Sequence, residues 1–261
     1  KIECFAEYRR GPCALAIAEE DVSHALNTMS RRQRLSGGGY PFSVQTVGVR
    51  RTAKELTPYD AMLLMSRETG PFHTSSNELR AAAVVFERLT QSAMSGLLGP
   101  VAQSVRFAWP SDEGRPPLFP DAIRWLGEKM GIALGQSYRP PRRQDGGVDV
   151  VAWRSFDDGR RGFPVVLVQC TLQRDYVDKS RDIDLRTWSG WLAFDSDPLT
   201  ALALPFTVAS DETWNEMAAN VIVLDRLRLT RLMSEAQAET PAATVWGTAE
   251  LARTHALEDG T

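Results

Sequence analysis

The 261-residue sequence predicts an α/β fold, and three observations carry that expectation. Two apolar runs, Val148–Trp153 and Val165–Cys170, are rich in β-branched residues and bounded by Gly-Gly, Asp-Asp-Gly and Gly-Phe-Pro. Two helical patterns precede them, at Asn77–Leu98 and Phe119–Met130. Further strand-like runs, Trp191–Phe194, Ala201–Val208 and Val221–Leu224, follow them and lead into a helix at Asp225–Glu235.

The elements read in order as follows. Residues 14–35 carry Leu15, Ile17, Val22, Ala25, Leu26 and Met29 at mostly helical spacing. Tyr40–Arg51 alternates as a strand or hairpin, and Pro58–Ser66 starts a helix with an early Pro. Asn77–Leu98 is Ala-rich, with Leu79, Ala83, Phe86 and Leu97 expected inward and Gly96 and Gly99 expected to end it. Gly131 should stop Phe119–Met130, and Trp109–Pro117 between the two helices reads as a loop. Arg174–Trp188 reads as a helix that Asp175 could cap. The tail after Pro241 is helix-prone but weakly patterned, so it is expected to be loosely held. The divisions are an N-terminal α-rich region (1–70), a catalytic-type domain (71–235) and a C-terminal tail (236–261).

Composition removes several classes of function. The chain is 43% hydrophobic and 24% charged, which is ordinary for a folded domain and unlike a disordered or fibrous chain. No apolar run approaches the roughly 20 residues that span a bilayer, and no signal-peptide pattern opens the chain. A cytoplasmic protein is expected, and Lys1 at the first position is read as a missing native start. Cys4, Cys13 and Cys170 lack metal-site spacing, and His24, His73 and His255 are scattered, so zinc hydrolysis is unsupported. No phosphate-cradling loop with Lys, no Gly-x-Ser-x-Gly elbow and no Cys/His pair can be assembled. The five tryptophans Trp153, Trp188, Trp191, Trp214 and Trp246 are assigned to cores rather than to base stacking.

One polar feature interrupts the apolar runs. Asp149 and Gln169 each sit where a buried strand normally carries no polar group, because an unpaired one costs a few kcal/mol. A hairpin centred near Gly159–Arg160 places Asp149 opposite Gln169–Cys170, within two residues, with paired Cβ atoms about 5 Å apart. A carboxylate and an amide oxygen so placed could share one Mg²⁺, a cation that prefers oxygen ligands. The alternative for Gln169 is a bridge between backbone groups at the strand end.

These residues also carry a family resemblance. Asp145-Gly146-Gly147-Val148-Asp149-Val150-Val151, followed by Val166-Leu167-Val168-Gln169-Cys170, resembles the core of Mrr-type restriction endonucleases in the PD-(D/E)xK nuclease superfamily. A longer likeness is to uncharacterised bacterial nuclease-like proteins reading roughly D-G-G-x-D-V-V-A-W … G-Q-C-A-T-G-x-x-W-x-D-K. It extends to Tyr40-Pro41-Phe42, Trp188, Pro205-Phe206 and Asp225-Arg226-Leu227-Arg228-Leu229. The resemblance implies a restriction-endonuclease-like core, a central mixed sheet flanked by helices, with an N-terminal helical extension. It implies Mg²⁺, with Mn²⁺ as a substitute, held by Asp149, Gln169 and Glu87, the last from Phe86-Glu87 on the first core helix. The superfamily lysine, two residues past the Gln, is here Thr171, and the group places its lysine where this chain has Lys179.

Each candidate has a plainer role. Lys179 could instead be a solvated residue pairing with Asp175 or Asp182, Glu87 could pair with Arg88 or Gln91, and Asp145 is better read as a turn cap. Glu128 is a weaker substitute for Glu87. Net charge is −3, so DNA contact falls to local basic clusters: Arg31-Arg32-Gln33-Arg34, Arg160-Arg161, and above all Arg139, Arg142 and Arg143. The expected function is Mg²⁺-dependent hydrolysis of double-stranded DNA in restriction or antiviral defence, by a homodimer or with a defence-system partner. The rival is an inactive nuclease-fold subunit that binds DNA or assembles a defence complex.

Overall fold

The computed structural model describes residues 14–45, 48–66, 76–141, 144–208 and 210–258, with side chains described between 19 and 253. Arg142, Arg143, Cys4, Cys13 and His73 lie outside the described residues, as does the side chain of His255. Among the described residues the chain is a mixed α/β structure with eight α-helices. It has a β-hairpin, β1 (Phe42–Gln45) with β2 (Gly48–Arg51), and one five-stranded sheet.

The sheet is ordered β3 (Gln103–Arg106), β4 (Val150–Trp153), β5 (Val165–Cys170), β6 (Leu199–Ala203), β7 (Ile222–Leu224). The pairs β3–β4 and β4–β5 are antiparallel, whereas β5–β6 and β6–β7 are parallel. Strand alternation sends Val150, Ala152, Val166 and Val168 to one face and Val151, Trp153, Val165 and Leu167 to the other. Both sets are buried, so β4 and β5 read as unbroken apolar runs rather than as alternating ones.

Helices cover both faces. α2 (Pro58–Met65), α3 (Ser76–Leu98), α7 (Arg226–Glu235) and α8 (Pro241–Glu258) pack on the first face, through Met62, Phe86, Met233 and Ala243 among others. α4 (Phe119–Met130) and α5 (Leu185–Trp191) cover the second, through Leu126, Trp188 and Trp191. α6 (Asp211–Ala218) joins Phe206 and Val223 in a smaller cluster beside β6 and β7. The first helix, α1 (Ala14–Ser36), leads into a short 3-10 turn, Gly37–Gly39, against α7.

Local chemistry sets the ends of these helices. Thr57 and Asp60 form a reciprocal capping box on α2, with Pro58 at its first turn. Gly131, at φ 69°, closes α4, and Asp225 caps α7 by accepting from the Arg228 N–H.

The structure corrects several expectations. Arg174–Trp188 is not one helix, because Asp184, not Asp175, supplies the cap by accepting from Arg186 and Thr187. Before it, Tyr176 and Val177 turn into the Phe206 cluster, and Lys179 falls in a 3-10 turn, Asp178–Arg181. Trp191–Phe194 is not a strand: Trp191 ends α5, and only a single bridge, Leu134 to Leu192, forms there. Leu79 is 43% exposed, since the inward stripe of α3 runs through Ala82, Phe86, Leu89, Ala93 and Met94. The tail is anchored, with Ala243 buried and the Thr244 hydroxyl donating to Leu56 O. Two elements the sequence reading passed over are β3 and α6.

Gly96 does not end α3. A Cβ built there would lie 2.2 Å from the carbonyl oxygen of Leu232 on α7, so the glycine lets two helix backbones touch. Gly96→Ala is therefore expected to cost about 1–3 kcal/mol by forced separation, measured as a lowered urea midpoint. Leu79→Ala should stay within about 0.5 kcal/mol. Equal effects of the two changes would contradict this packing.

Candidate functional site

The Asp145–Val148 turn fixes the site's first wall. Asp145 accepts from the Gly147 N–H through Oδ1 at 2.8 Å, the turn-capping role read from its sequence. Gly146 and Gly147 have φ of 63° and 80°, a region that favours glycine. A Cβ on Gly146 would lie 2.8 Å from the Trp191 ring and 3.2 Å from that of Trp188. The Trp188 indole N–H donates to Gly146 O at 3.1 Å, and that of Trp191 to Arg139 O at 2.8 Å. The tryptophans of α5 thus hold the turn and the chain before it against the sheet.

Immediately after the turn, the backbone N–H of Asp149 donates to Val168 O at 2.8 Å. Its carbonyl accepts from both Phe107 and Ala108. The ladder ends at the Val150–Val168 pair, and Asp149, the next residue out, also turns its N–H to Val168 rather than pairing directly with Gln169. Oδ2 of Asp149 accepts from the Cys170 N–H at 2.7 Å, which brings the carboxylate to the end of β5. The carboxylate thus reaches the strand end within the expected two residues, through its side chain and not through a direct backbone pair with Gln169.

Gln169 is only 4% exposed. Its Nε2 donates to Asp182 Oδ2 at 3.1 Å, while its Oε1 is buried and makes no hydrogen bond. A buried acceptor left unmet costs about 1–3 kcal/mol. Lys179 Nζ lies 3.5 Å from the same Asp182 oxygen, so Lys179 makes the plain pair read from its sequence and also stands one carboxylate away from Gln169. Asp182 as the link is what the sequence reading missed; the signal was its polar position three residues past Lys179 and two residues before the α5 cap, Asp184. Thr171, two residues past Gln169, is 7% exposed and accepts from the Gln173 N–H.

Glu87 takes a different partner from those expected. It pairs with Arg106 of β3 at 2.6 Å, and Arg106 is itself 3% exposed and also binds Asp112. Burial pushes the Glu87 carboxyl above its usual range; Arg106 pulls it down, while Asp145 and Asp112 add to the rise. Burial likewise holds the Cys170 thiol well up, reinforced by the charges of Asp149 and Glu87. Glu87 therefore lies in the same electrostatic neighbourhood with its carboxylate committed to Arg106. Glu128 is exposed on α4.

Gly147, Asp182, Arg181 and Arg139 border a cavity of about 430 Å³. Arg139 is exposed beside it. Arg161 is engaged with Asp195. Among the described residues, no three His, Cys, Asp or Glu side chains form a metal-holding group, so any cation site here must count the Gln169 amide. The oxygen-bearing side chains at this strand end are Gln169, bonded to Asp182, and Asp149, bonded to the N–H of the next residue, Cys170. Compared with protein-family models, curated proteins and solved structures, the chain shows no significant match.

Because Gly146 is seated between a left-handed turn and two indoles, Gly146→Ala is expected to lower stability by about 2 kcal/mol or more. Tryptophan fluorescence should follow the unfolding and shift in the folded state. A variant with unchanged stability and emission would show that the α5 tryptophans do not hold this turn.

Proposed function

We propose that this protein is a Mg²⁺-dependent endodeoxyribonuclease with a restriction-endonuclease-like core. The observation that carries the reading is the unmet, buried Oε1 of Gln169 on the strand paired with Asp149. A hard cation is a chemically fitting partner for that oxygen, and two carboxylates nearby supply the charge it needs. Asp149, Gln169 and Asp182 would hold the ion. The Arg106 pairing of Glu87 argues for Asp182 as the second carboxylate. Bound Mg²⁺ would polarise a phosphodiester oxygen and make a bound water more acidic; Mn²⁺ could take its place.

The chain's own groups then have distinct tasks. Asp182 orients the Lys179 ammonium, which offers positive charge to the attacking water and to the phosphate as negative charge builds on it. The Gln169 amide N–H fixes Asp182 in turn. Arg139, at the rim of the adjoining cavity, is suited to a backbone phosphate that positions the strand without reading its sequence. Since net charge is −3, DNA affinity would rest on this rim and on the metal rather than on a general basic coat. Cutting both strands calls for two sites, hence a homodimer. Restriction or antiviral defence, alone or with a defence-system partner, is the role we assign.

One observation favours a second reading, in which the fold binds DNA or assembles a complex without cutting. Thr171 stands where the superfamily lysine would be, with its hydroxyl tied to the Gln173 N–H.

Supercoiled plasmid incubated with Mg²⁺ or Mn²⁺ separates the two. Cleavage is expected from the wild type, with Asp149→Ala and Lys179→Ala each slowing it by roughly 10²–10³-fold or more. Undiminished cleavage by Asp149→Ala would reject the site. Metal binding and DNA binding without any cleavage would favour the second reading.

A further inference from the structure

The N-terminal elements carry a basic surface that the metal site does not use. The backbone N–H of Val44 on β1 donates to Oε1 of Gln33 on α1 at 3.3 Å, so the helix runs beside the outer edge of the hairpin. The hairpin register sets Phe42 opposite Arg51 and Ser43 opposite Arg50. Arg51 is drawn toward the body of the molecule, with Nη1 2.8 Å from Asp60 Oδ1 and Nη2 2.8 Å from Glu55 O. Phe42 shares that face, its ring 5.6 Å from that of Tyr40. Strand alternation therefore turns Ser43, Gln45 and Arg50 to the opposite, outer face.

Two cations of α1 extend this surface. Arg31 and Arg34, three residues apart, are neighbours on one helix face, and both are exposed, whereas Arg32 between them is half-buried. Elsewhere the fold matches exposed arginines with acids: Arg88 with Asp112, Arg161 with Asp195 and Arg231 with Glu235. Among the described residues Arg31, Arg34 and Arg50 form no ion pair. Asp60 is committed to Arg51 and to the α2 cap, and Glu235 to Arg231 beside Gly37. Like charges spaced as Arg31 and Arg34 are repel one another. The negative C-terminal end of α1 favours a cation in its last turn, Arg34, but accounts neither for Arg31 nor for Arg50 on a strand.

We propose that the outer face of the β1–β2 hairpin and the adjoining end of α1 form a contact surface for the phosphate backbone of duplex DNA, made by Arg31, Arg34 and Arg50. A duplex carries one phosphate charge per about 1.7 Å of its axis, so cations spread over a helix and a ribbon can be met together. Guanidinium forks suit phosphate oxygens. Ser43 and Gln45 add neutral side chains of the kind that bond to phosphate and sugar, so the contact positions the duplex without reading its bases. An anionic bilayer fits less well. A helix lying in a membrane presents a broad apolar face, whereas α1 from residue 27 to its end exposes Asn27, Arg31, Gln33, Arg34 and a single apolar residue, Leu35. The hairpin is a separate sheet from the one holding Asp149, and the inference does not rest on the nuclease reading.

The test uses the full chain in EDTA, where binding is read without cleavage. Fluorescence anisotropy follows a short labelled duplex over a series of chloride concentrations. The triple variant Arg31→Gln, Arg34→Gln, Arg50→Gln is expected to bind at least about tenfold more weakly than the wild type. The slope of log affinity against log salt should fall by about 3. Each single variant should lower it by about 1, which keeps the comparison should the triple variant fail to fold. A control triple, Arg124→Gln, Arg161→Gln, Arg253→Gln, removes the same charge from ion-paired positions and should stay within about twofold. Equal weakening by the two triples overturns the proposal, because net charge alone would then be at work. Wild-type affinity and slope in the first triple, or no saturable duplex binding by the wild type, overturns it as well. So does binding to vesicles of phosphatidylserine and phosphatidylcholine that the first triple abolishes while duplex binding is unaffected, which assigns the face to a membrane. Duplex binding of the expected pattern in a protein that never cuts DNA with Mg²⁺ supports this surface and removes only the nuclease reading.

Discussion

The antiparallel pairing of β4 with β5 is the constraint on which the candidate site depends. A one-residue slip in a sheet exchanges the faces of every side chain, and here both faces are closed by helices. Val150 and Val168 face α3 while Val151 and Leu167 face α4 and α5, so a slip would drive large apolar groups against the wrong wall. The same lock that keeps the core apolar sets Asp149 beside the end of β5. Asp149 then reinforces it by accepting from the Cys170 N–H. Position of the polar pair is thus a consequence of hydrophobic packing, not of attraction between the two residues.

Around that pair, stiffness comes from an unusual division of labour. The glycine turn ahead of Asp149 is held by indoles rather than by charges, with Trp188 and Trp191 filling the space a side chain on Gly146 would need. Charges are handled elsewhere. Arg106 draws Glu87 and Asp112 to itself at the neighbouring strand. Glu87 feels the charge of Asp145, and Cys170 that of both Glu87 and Asp149, while buried Arg115 interacts with Asp145 from the other side. Arg106 and Arg115 together offset the acidity at this end of the sheet.

Where packing and local turn chemistry agree, the sequence was legible. β5 and α4 were read with their observed bounds, because β-branched runs and a C-terminal glycine state both interior and ends. The hairpin register followed from one turn and counting. What failed shared a cause: tertiary contacts outweighed local signals. Leu79 is a helical apolar residue on the wrong side of a stripe that only the sheet defines. Gly96 looks like a helix stop until α7 is seen against it. The stretch after Thr171 has helical composition, yet Tyr176 stacks on Phe206 and the helix begins only at the Asp184 cap. β3 reads Gln-Ser-Val-Arg, polar because it is an edge strand whose Arg106 is satisfied by ion pairs rather than by apolar neighbours. Asp182 could not be ranked above other acids from sequence, since its meaning lies in a bond to Gln169 thirteen residues away.

One sheet edge therefore carries two opposed electrostatic settings. At β4 and β5 the carboxylates of Asp149 and Asp182 and a buried amide oxygen without a hydrogen bond lie at one strand end, a setting that favours cations. At β6 and β7 the guanidinium groups of Arg226 and Arg174 gather around Ser66, one on its hydroxyl and one on its carbonyl. Each includes one buried polar atom without a hydrogen bond among the described residues, Gln169 Oε1 in the first and Arg226 Nε in the second, and both lie at strand ends. An overall charge of −3 conceals this separation, because long-range attraction depends on local fields within about 8–10 Å at ordinary salt. A polyanion approaching this edge would tolerate the acidic end only with a cation between them. The order of charges along the sheet, more than their sum, decides what this surface can hold.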